Sequence, residues 1–425
     1  MKIRILSILI VGMTMGTSWA VRGQFGHEQG AAWAAAIAAL ALVLASANQG
    51  WYRKALTITL ASAVGWGMGG MISYGKIVGY GRSDDFPNAF YGLLMLFVIG
   101  SLYGLLGGGL TGLTLESSGQ KKVSWARLVT EMVAGGLIVY GFLVMQLGLE
   151  MTPPRSEAWA LCLGSALAML WYMARNGYNS SMRVALISGL GAGFGFAFGN
   201  FLQIIGNVLE INFNMWNVME YSIGFFGGSS MAYAVFTTAW PGESNENLRW
   251  ENRVSFLLVF VMIPMIVYHE SMQYPILLKR LGDIANVQGV TAASSAVAAI
   301  LIAAMMVSGY FVMGMGGRIE RRNQVMFLFA ALFAVYVIIS YLVTGLFAGM
   351  THLNHHLYIV NVAAILYMLY LKADPFSRFE VVEPDWAKLI RWFGVMVIVI
   401  AILTFILINT HGELGGAQVR FGEGS

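Results

Sequence analysis

The chain has 425 residues, and only 11% of them are charged, against roughly 25% in soluble domains. Apolar residues make up 58%, a further 51 residues are glycine, and the mean hydropathy is +0.69. A soluble fold cannot cover that much apolar surface, so the composition predicts an all-α, polytopic membrane protein. The lone Cys162 excludes an internal disulfide and a cysteine-built metal site. The net charge of +4, spread over scattered loops, excludes nucleic-acid binding.

Hydropathy along the chain predicts about 13 membrane-spanning helices. A hydrocarbon core about 30 Å thick needs roughly 20 apolar residues per helix. In chain order the matching segments are residues 3–21, 31–47, 55–75, 91–113, 128–149, 158–174, 184–208, 216–240, 254–272, 291–313, 325–349, 357–371 and 390–409. The second and twelfth segments are short enough to be re-entrant. No stretch is long and polar enough for a soluble domain, so residues 1–425 are predicted to form a single transmembrane domain.

The basic residues predict the orientation. With a cytoplasmic N-terminus, 18 of the 25 lysines and arginines fall on the cytoplasmic side and 7 on the other. This positive-inside bias predicts a multi-pass protein of a bacterial inner (plasma) membrane with its N-terminus in the cytoplasm. Residues 1–20 also resemble a cleavable signal peptide, because a basic start and an apolar run precede Ser18-Trp19-Ala20. Cleavage would leave 12 spans.

A glycine-rich element occurs twice. Glycines cluster at residues 65–70 of the third segment and again, 126 residues later, at residues 191–195 of the seventh. Each cluster leads through a polar stretch into a second glycine-rich segment. Glycine lets membrane helices approach closely, and many transporters consist of internal repeats. The pattern predicts a parallel duplication with units 55–125 and 184–250; a chance resemblance between glycine-rich helices is the alternative.

The turn after the first segment, residues 22–30, is unusually polar. Arg22, Gln24, His27 and Glu28 alternate there with glycines. An arginine binds carboxylates or phosphates with two parallel hydrogen bonds, and a histidine beside a glutamate can move a proton. We expect these four residues to bind substrate. The alternative is a solvated hairpin held by an Arg–Glu pair.

The seventh segment carries a face of amide side chains. Asn200, Gln203 and Asn207 are followed by Glu210 at spacings of 3, 4 and 3 residues, which places them on one helix face. The polar stretch continues to Glu220 in the eighth segment. We expect Asn200, Gln203, Asn207 and Glu220 to line a wet cavity and bind solute. Amide bonding between helices is the alternative.

Histidines gather near the ends of two other segments. His269 and Glu270 end the ninth, and His352, His355 and His356 follow the eleventh. Their titration range suits proton transfer, so these five residues are predicted to couple ion movement. The histidine spacing also fits metal ligands, but a third ligand must come from elsewhere. Whether a metal binds is therefore left open by the sequence. No cofactor is predicted. The alternative is that these histidines lie at the membrane interface and have no functional role.

Two functions follow from these features. The first is a secondary transporter of a small polar solute, sugar-like or an organic anion, coupled to protons or sodium ions. The second is a membrane-embedded enzyme, a glycosyl or acyl transferase or a hydrolase, with its active site at the periplasmic face, where the polar residues cluster. The sequence has no nucleophile motif, which favours the transporter. The expected partners are the solute and membrane lipid; nothing indicates an oligomeric state.

Overall fold

The computed structural model is helical throughout its regular elements. It describes residues 2–151, 157–241, 249–282, 284–315, 318–345, 353–371 and 380–422. This confirms the all-α class that composition predicted, since an apolar chain in lipid must satisfy its backbone hydrogen bonds within each segment.

Seventeen α-helices occur in the described residues. They are α1 (Lys2–Arg22), α2 (His27–Ser46), α3 (Gln49–Arg53), α4 (Ala55–Gly70), α5 (Gly75–Gly81), α6 (Phe86–Glu116), α7 (Trp125–Tyr140), α8 (Glu157–Arg175), α9 (Asn179–Val208), α10 (Met215–Phe236), α11 (Arg249–Phe256), α12 (Ile263–Val267), α13 (Tyr274–Arg280), α14 (Val287–Gly314), α15 (Arg321–Val343), α16 (Leu353–Leu371) and α17 (Trp386–Ile408). Wider π-helical turns at Gly141–Gln146, Leu257–Met262 and Tyr268–Met272 continue α7, α11 and α12.

Ten helices in the described part of the chain are long and apolar enough to cross a membrane, or eleven if the bent pair α4–α5 counts as one span. The protein is therefore a multi-pass membrane protein. Each of the thirteen predicted segments overlaps a helix, although α10 and α16 are less apolar than these ten. The second segment proves longer than predicted, because α2 begins at His27 and reaches 20 residues.

Helix α2 lies in the interior of the bundle. Nine of its 20 residues are alanine, and 16 of the 20 are buried in contact with α1, α4 and α15. A helix that is apolar on every face is stable only when neighbours surround it. Small side chains allow those neighbours to come close.

Glycines set the spacing between α6, α9, α10 and α1. A Cβ atom added at Gly104 of α6 would lie 2.1 Å from the carbonyl oxygen of Ser188 in α9. One added at Gly224 of α10 would lie 2.4 Å from the carbonyl oxygen of Met15 in α1. Neither position has room for a side chain, so the backbones touch directly. These contacts bring the end of α1 beside the start of α10, where the candidate site lies.

The bundle has two distinct ends. The site end contains the last residue of α1, Arg22, and the first of α2, His27. At the opposite end, Glu116 of α6 accepts hydrogen bonds from the amide (2.8 Å) and hydroxyl (2.7 Å) of Ser181 in α9. Arg183, two residues further along α9, donates to the carbonyl oxygen of Ala234 at 2.9 Å and so satisfies the C-terminal end of α10.

The C-terminal tail, residues 409–422, folds back over the site end. The amide of Gln418 donates to the carbonyl oxygen of Gly79 in α5 at 3.0 Å. Asn88 of α6 accepts from the amides of Arg420 and Phe421 and donates to the carbonyl oxygen of Phe421. The tail therefore ties α5 to the first turn of α6.

Candidate functional site

Arg22 is the most deeply buried charge of the site. It is the last residue of α1 and has no exposed surface. Its Nε donates to Glu220 at 3.1 Å, and its terminal nitrogens donate to the Tyr74 hydroxyl at 2.8 Å and to the His27 carbonyl oxygen at 3.1 Å. The guanidinium thereby joins four separate stretches of chain. The planar five-donor fork of arginine makes such a junction possible.

Glu220 is the carboxylate that pairs with Arg22. It lies early in α10 and is 6% exposed. Its second carboxylate oxygen accepts a short hydrogen bond from the Tyr74 hydroxyl, so Tyr74 accepts from Arg22 and donates to Glu220. We call these three residues the Arg22–Tyr74–Glu220 cluster. The pair of charges is neutral overall, which is the form in which buried ions are tolerated.

Aromatic rings surround the cluster. The guanidinium carbon of Arg22 lies 4.8 Å from the ring centroid of Trp19. Trp19 in turn contacts Trp66 at 5.4 Å and Tyr103 at 5.7 Å between ring centroids. Cation–π attraction is stronger where water is excluded. The rings therefore stabilise the buried cation and keep it apart from the acyl chains.

Tyr74 owes its position to a break between two helices. Helix α4 ends at Gly70 and α5 begins at Gly75, with a bend of 64° between them. A Cβ atom added at Gly70 would lie 2.6 Å from the His27 carbonyl oxygen. Glycine thus lets the end of α4 pack against the start of α2, and the chain then turns so that Tyr74 points at Arg22.

The polar turn from 22 to 30 covers the cluster. Gly26 has a φ of +89°, a conformation that glycine adopts without strain. The His27 ring stands edge-on to Tyr74 with centroids 5.5 Å apart, and His27 and Glu28 are exposed. Nε2 of Gln24 lies 3.3 Å from Nε2 of buried His355. His27 therefore contacts the cluster directly, while Gln24 reaches from the same turn to His355.

Asn200 and Gln203 form a second buried polar group. The Asn200 amide donates to the Gln203 side-chain oxygen at 2.9 Å, and both residues are fully buried. Asn200 Oδ1 and Gln203 Nε2 have no partner among the described residues. A Cβ atom added at Gly81, the last residue of α5, would lie 2.3 Å from Asn200 Oδ1, so this polar group packs closely against α5. An unpaired buried acceptor and donor are costly, which marks this group as a place where a polar ligand gains hydrogen bonds.

Asn207, also predicted to bind solute, is exposed. Glu210, which continues the same face in the sequence, follows the end of α9 at Val208 with a φ of +52°. The helical spacing thus holds for Asn200 and Gln203, but the helix ends before the face is complete.

The remaining predicted ion-coupling residues are mostly at the surface. His269 and Glu270 are exposed, and His269 bonds to Gln273 at 2.8 Å. Glu270 approaches the polar turn: a Cβ atom added at Gly26 would lie 3.5 Å from its Oε2. His356 is exposed beside Tyr341. His352 lies outside the described residues, within which no three His, Cys, Asp or Glu side chains come together as a metal site.

Sequence reasoning missed the aromatic half of the site. Trp19, Trp66, Tyr74 and Tyr103 are not among the predicted site residues, because aromatic side chains are common at membrane interfaces. One available signal was the polar interruption around Tyr74 after the glycine run of the third segment.

Comparisons with protein-family models, curated proteins and solved structures find no match for this chain.

Proposed function

We propose that the protein is a secondary transporter of a small organic anion, coupled to protons through Glu220. The observation that supports this most directly is the buried Arg22–Glu220 pair beside the α4–α5 break. Discontinuous helices in transporters commonly form the substrate and ion sites. The proposal includes a bacterial inner membrane, a cytoplasmic N-terminus and the duplication of units 55–125 and 184–250.

Coupling follows from competition for Arg22. In the closed arrangement the carboxylate of Glu220 neutralises the guanidinium. An anionic solute that binds Arg22 displaces Glu220, and a buried carboxylate without a cation is stable only when it is protonated. Solute binding and proton uptake at Glu220 therefore favour each other.

Asn200 and Gln203 are the proposed source of solute specificity. Their unpaired oxygen and nitrogen offer one acceptor and one donor in a buried setting. A solute that carries a hydroxyl beside its carboxylate satisfies both. Sugar-like solutes fit these amides as well, but only an anion uses Arg22.

Access requires a movement, because Arg22 has no exposed surface. An exposed residue beside the cluster is His27 of the polar turn, whose ring lies edge-on to Tyr74. Residues 71–74 are the proposed hinge, because they lie outside both helices at the 64° bend between α4 and α5. Movement there shifts Tyr74 and opens a path to the cluster.

The alternative is an enzyme acting at the site end. The exposed residues His27, Glu28, His269 and Glu270 favour it, because Glu270 approaches the same turn as His27. In that reading a histidine acts as general base, a glutamate orients it, and Arg22 binds an anionic group. It predicts chemical change of the substrate without movement across the membrane.

Flux into proteoliposomes tests the choice. Purified protein is reconstituted, and entry of radiolabelled monocarboxylates, hydroxycarboxylates and sugars is followed under imposed pH or sodium gradients. We expect entry of one anionic class, and a loss of about tenfold or more in Arg22→Lys, because lysine lacks the fork. The control is Arg127→Lys, an exposed residue of α7. Absence of flux for every class contradicts the proposal, and recovery of a chemically altered solute supports the enzyme.

A further inference from the structure

A long groove opens on the flank of the bundle, away from the Arg22–Tyr74–Glu220 cluster. It has a volume of about 730 Å³ and runs between α4, α6, α7 and α11. Along α4 it extends from Lys54 to Met68, which at 1.5 Å per residue is about 21 Å. One leaflet of the hydrocarbon core is about 15 Å deep, so the groove reaches past the middle of the membrane.

The walls of the groove are apolar and face outward. Val64 of α4 and Val133 of α7 are 44% and 55% exposed, and both line the groove. Exposed apolar side chains in a lateral groove of a membrane helix bundle contact acyl chains rather than water.

Among the lining residues that the structure describes, the charged ones lie at the end of the groove beside Lys54. Lys54 is 4% exposed and donates from Nζ to the carbonyl oxygen of Ser117 at 2.7 Å. Burial lowers the pKa of Lys54 by more than the nearby Glu251 carboxylate raises it, so the pKa lies below its usual value. Lys122 is exposed at the same mouth. Among the described lining residues, two lysines and one glutamate leave a net charge of +1.

Two tryptophans flank this mouth. Trp125 at the start of α7 and Trp250 in α11 line the groove and are 38% and 60% exposed. Tryptophan concentrates at the level of lipid headgroups, where its ring is apolar and its N–H is polar. The mouth therefore lies at the membrane surface, and the apolar length of the groove extends inward from it.

We propose that this groove binds an anionic glycerophospholipid, with its phosphate between Lys54 and Lys122 and an acyl chain along α4 and α7. A single negative charge balances the net charge of the mouth, which a zwitterionic lipid does not. Each lysine near the headgroup contributes about 1 kcal/mol of attraction, or about fivefold in affinity. The site is independent of the proposed transport function, because α4 separates the groove from Arg22.

Native mass spectrometry of the full-length protein tests the proposal. Detergent-solubilised protein is mixed with equal amounts of dioleoylphosphatidylglycerol and dioleoylphosphatidylethanolamine. The net charge of +1 corresponds to about a fivefold preference for the anionic lipid. We expect that preference in the unsubstituted protein, near-equal retention of the two lipids in Lys122→Gln, whose mouth is neutral, and weaker retention of the anionic lipid in Lys54→Gln/Lys122→Gln, where Glu251 alone is charged. Lys388→Gln is the control, because Lys388 is exposed near the same end of the bundle but outside the groove.

A second variant tests the apolar part of the site. Ala61 lines the middle of the groove, and Ala61→Phe is expected to reduce retention of both lipids by filling the space. Equal retention of the two lipids by the unsubstituted protein contradicts the proposal, as does an unchanged preference in the double lysine variant. Displacement of bound lipid by millimolar inorganic phosphate also contradicts it, because the acyl chain is held to be part of the ligand.

Discussion

At the scale of residues, the buried Arg22–Glu220 pair makes a quantitative prediction. Removing one partner leaves the other as an uncompensated buried charge, which costs about 3–5 kcal/mol. We therefore expect Arg22→Gln and Glu220→Gln each to lower the thermal unfolding midpoint strongly. The double variant is expected to be more stable than either single one, because it buries no charge.

Tryptophan fluorescence during heating in detergent measures these midpoints. Arg127→Gln is the control: Arg127 bonds to Glu131 at 2.9 Å, but its side chain is 58% exposed, and exposed ion pairs contribute about 0–1 kcal/mol. If the two losses simply add in the double variant, Arg22 and Glu220 do not act as a pair.

The sequence indicated single residues better than their partners. Arg22 and Glu220 are conspicuous because ionisable side chains are expensive beside apolar segments. Their pairing was not predicted, since 198 positions separate them and neither has a local partner that specifies the other. Tyr74 was missed for a different reason, because tyrosines are common at membrane interfaces and one hydroxyl in a turn carries no distinctive pattern.

At the scale of elements, the start of α6 is predicted to respond to acid. Asp85 accepts hydrogen bonds from Ser83 (2.7 Å) and from the Asn88 amide (3.0 Å) and side chain (2.7 Å). Partial burial raises the pKa of Asp85, but the hydrogen bonds outweigh it and leave the pKa below its usual value. The stabilisation is therefore complete above the unfolded value of about 3.9 and is lost as the pH falls through the lower folded value.

Because Asn88 also holds the tail, protonation of Asp85 is expected to loosen residues 409–422. The cap is worth about 1 kcal/mol, so the released population should rise about fivefold. A nitroxide attached at Val419→Cys reports this mobility by electron paramagnetic resonance, and Cys162 is buried against labelling. Asp85→Asn should remove the acid response, whereas the exposed neighbour Asp84→Asn should keep it. An unchanged response in Asp85→Asn contradicts the assignment.

Hydropathy predicts where helices lie but not how they end. Each predicted segment overlaps a helix because about 20 apolar residues in lipid have few other stable forms. The α4–α5 break was not predicted, since averaging over a window conceals the residues that interrupt a helix. Periodicity also does not mark the last turn of a helix: α9 ends at Val208, so Asn207 lies in its last turn and Glu210 lies beyond it.

At the scale of the whole molecule, the charge bias predicts which end faces the cytoplasm. Lys76 is the second residue of α5 at the site end, and Lys122 precedes α7 at the opposite end; both are exposed. In intact cells we expect a membrane-impermeant maleimide to label Lys76→Cys and to label Lys122→Cys only after permeabilisation. Labelling is measured by the gel shift of the protein. The reverse pattern contradicts a cytoplasmic N-terminus.

The packing of distant helices against one another could not be predicted from the sequence. Composition alone was enough to predict a multi-pass helical protein, because the chain has too few polar residues to cover a soluble fold. The meeting of α1, α2, α10 and the α4–α5 break depends on which helices pack together, and glycine contacts such as Gly224 with Met15 decide that in three dimensions. The duplication of units 55–125 and 184–250 stays a prediction.

The most direct measurement is proton-driven accumulation of the transported anion in proteoliposomes containing Glu220→Gln. Unsubstituted protein should concentrate the anion under an inward proton gradient, as should the control Glu210→Gln, whose side chain is exposed beyond α9. Glu220→Gln should still exchange labelled for unlabelled anion at equal concentrations but show no accumulation, because glutamine takes up no proton. Accumulation by Glu220→Gln at the unsubstituted level would contradict proton coupling at the Arg22–Tyr74–Glu220 cluster.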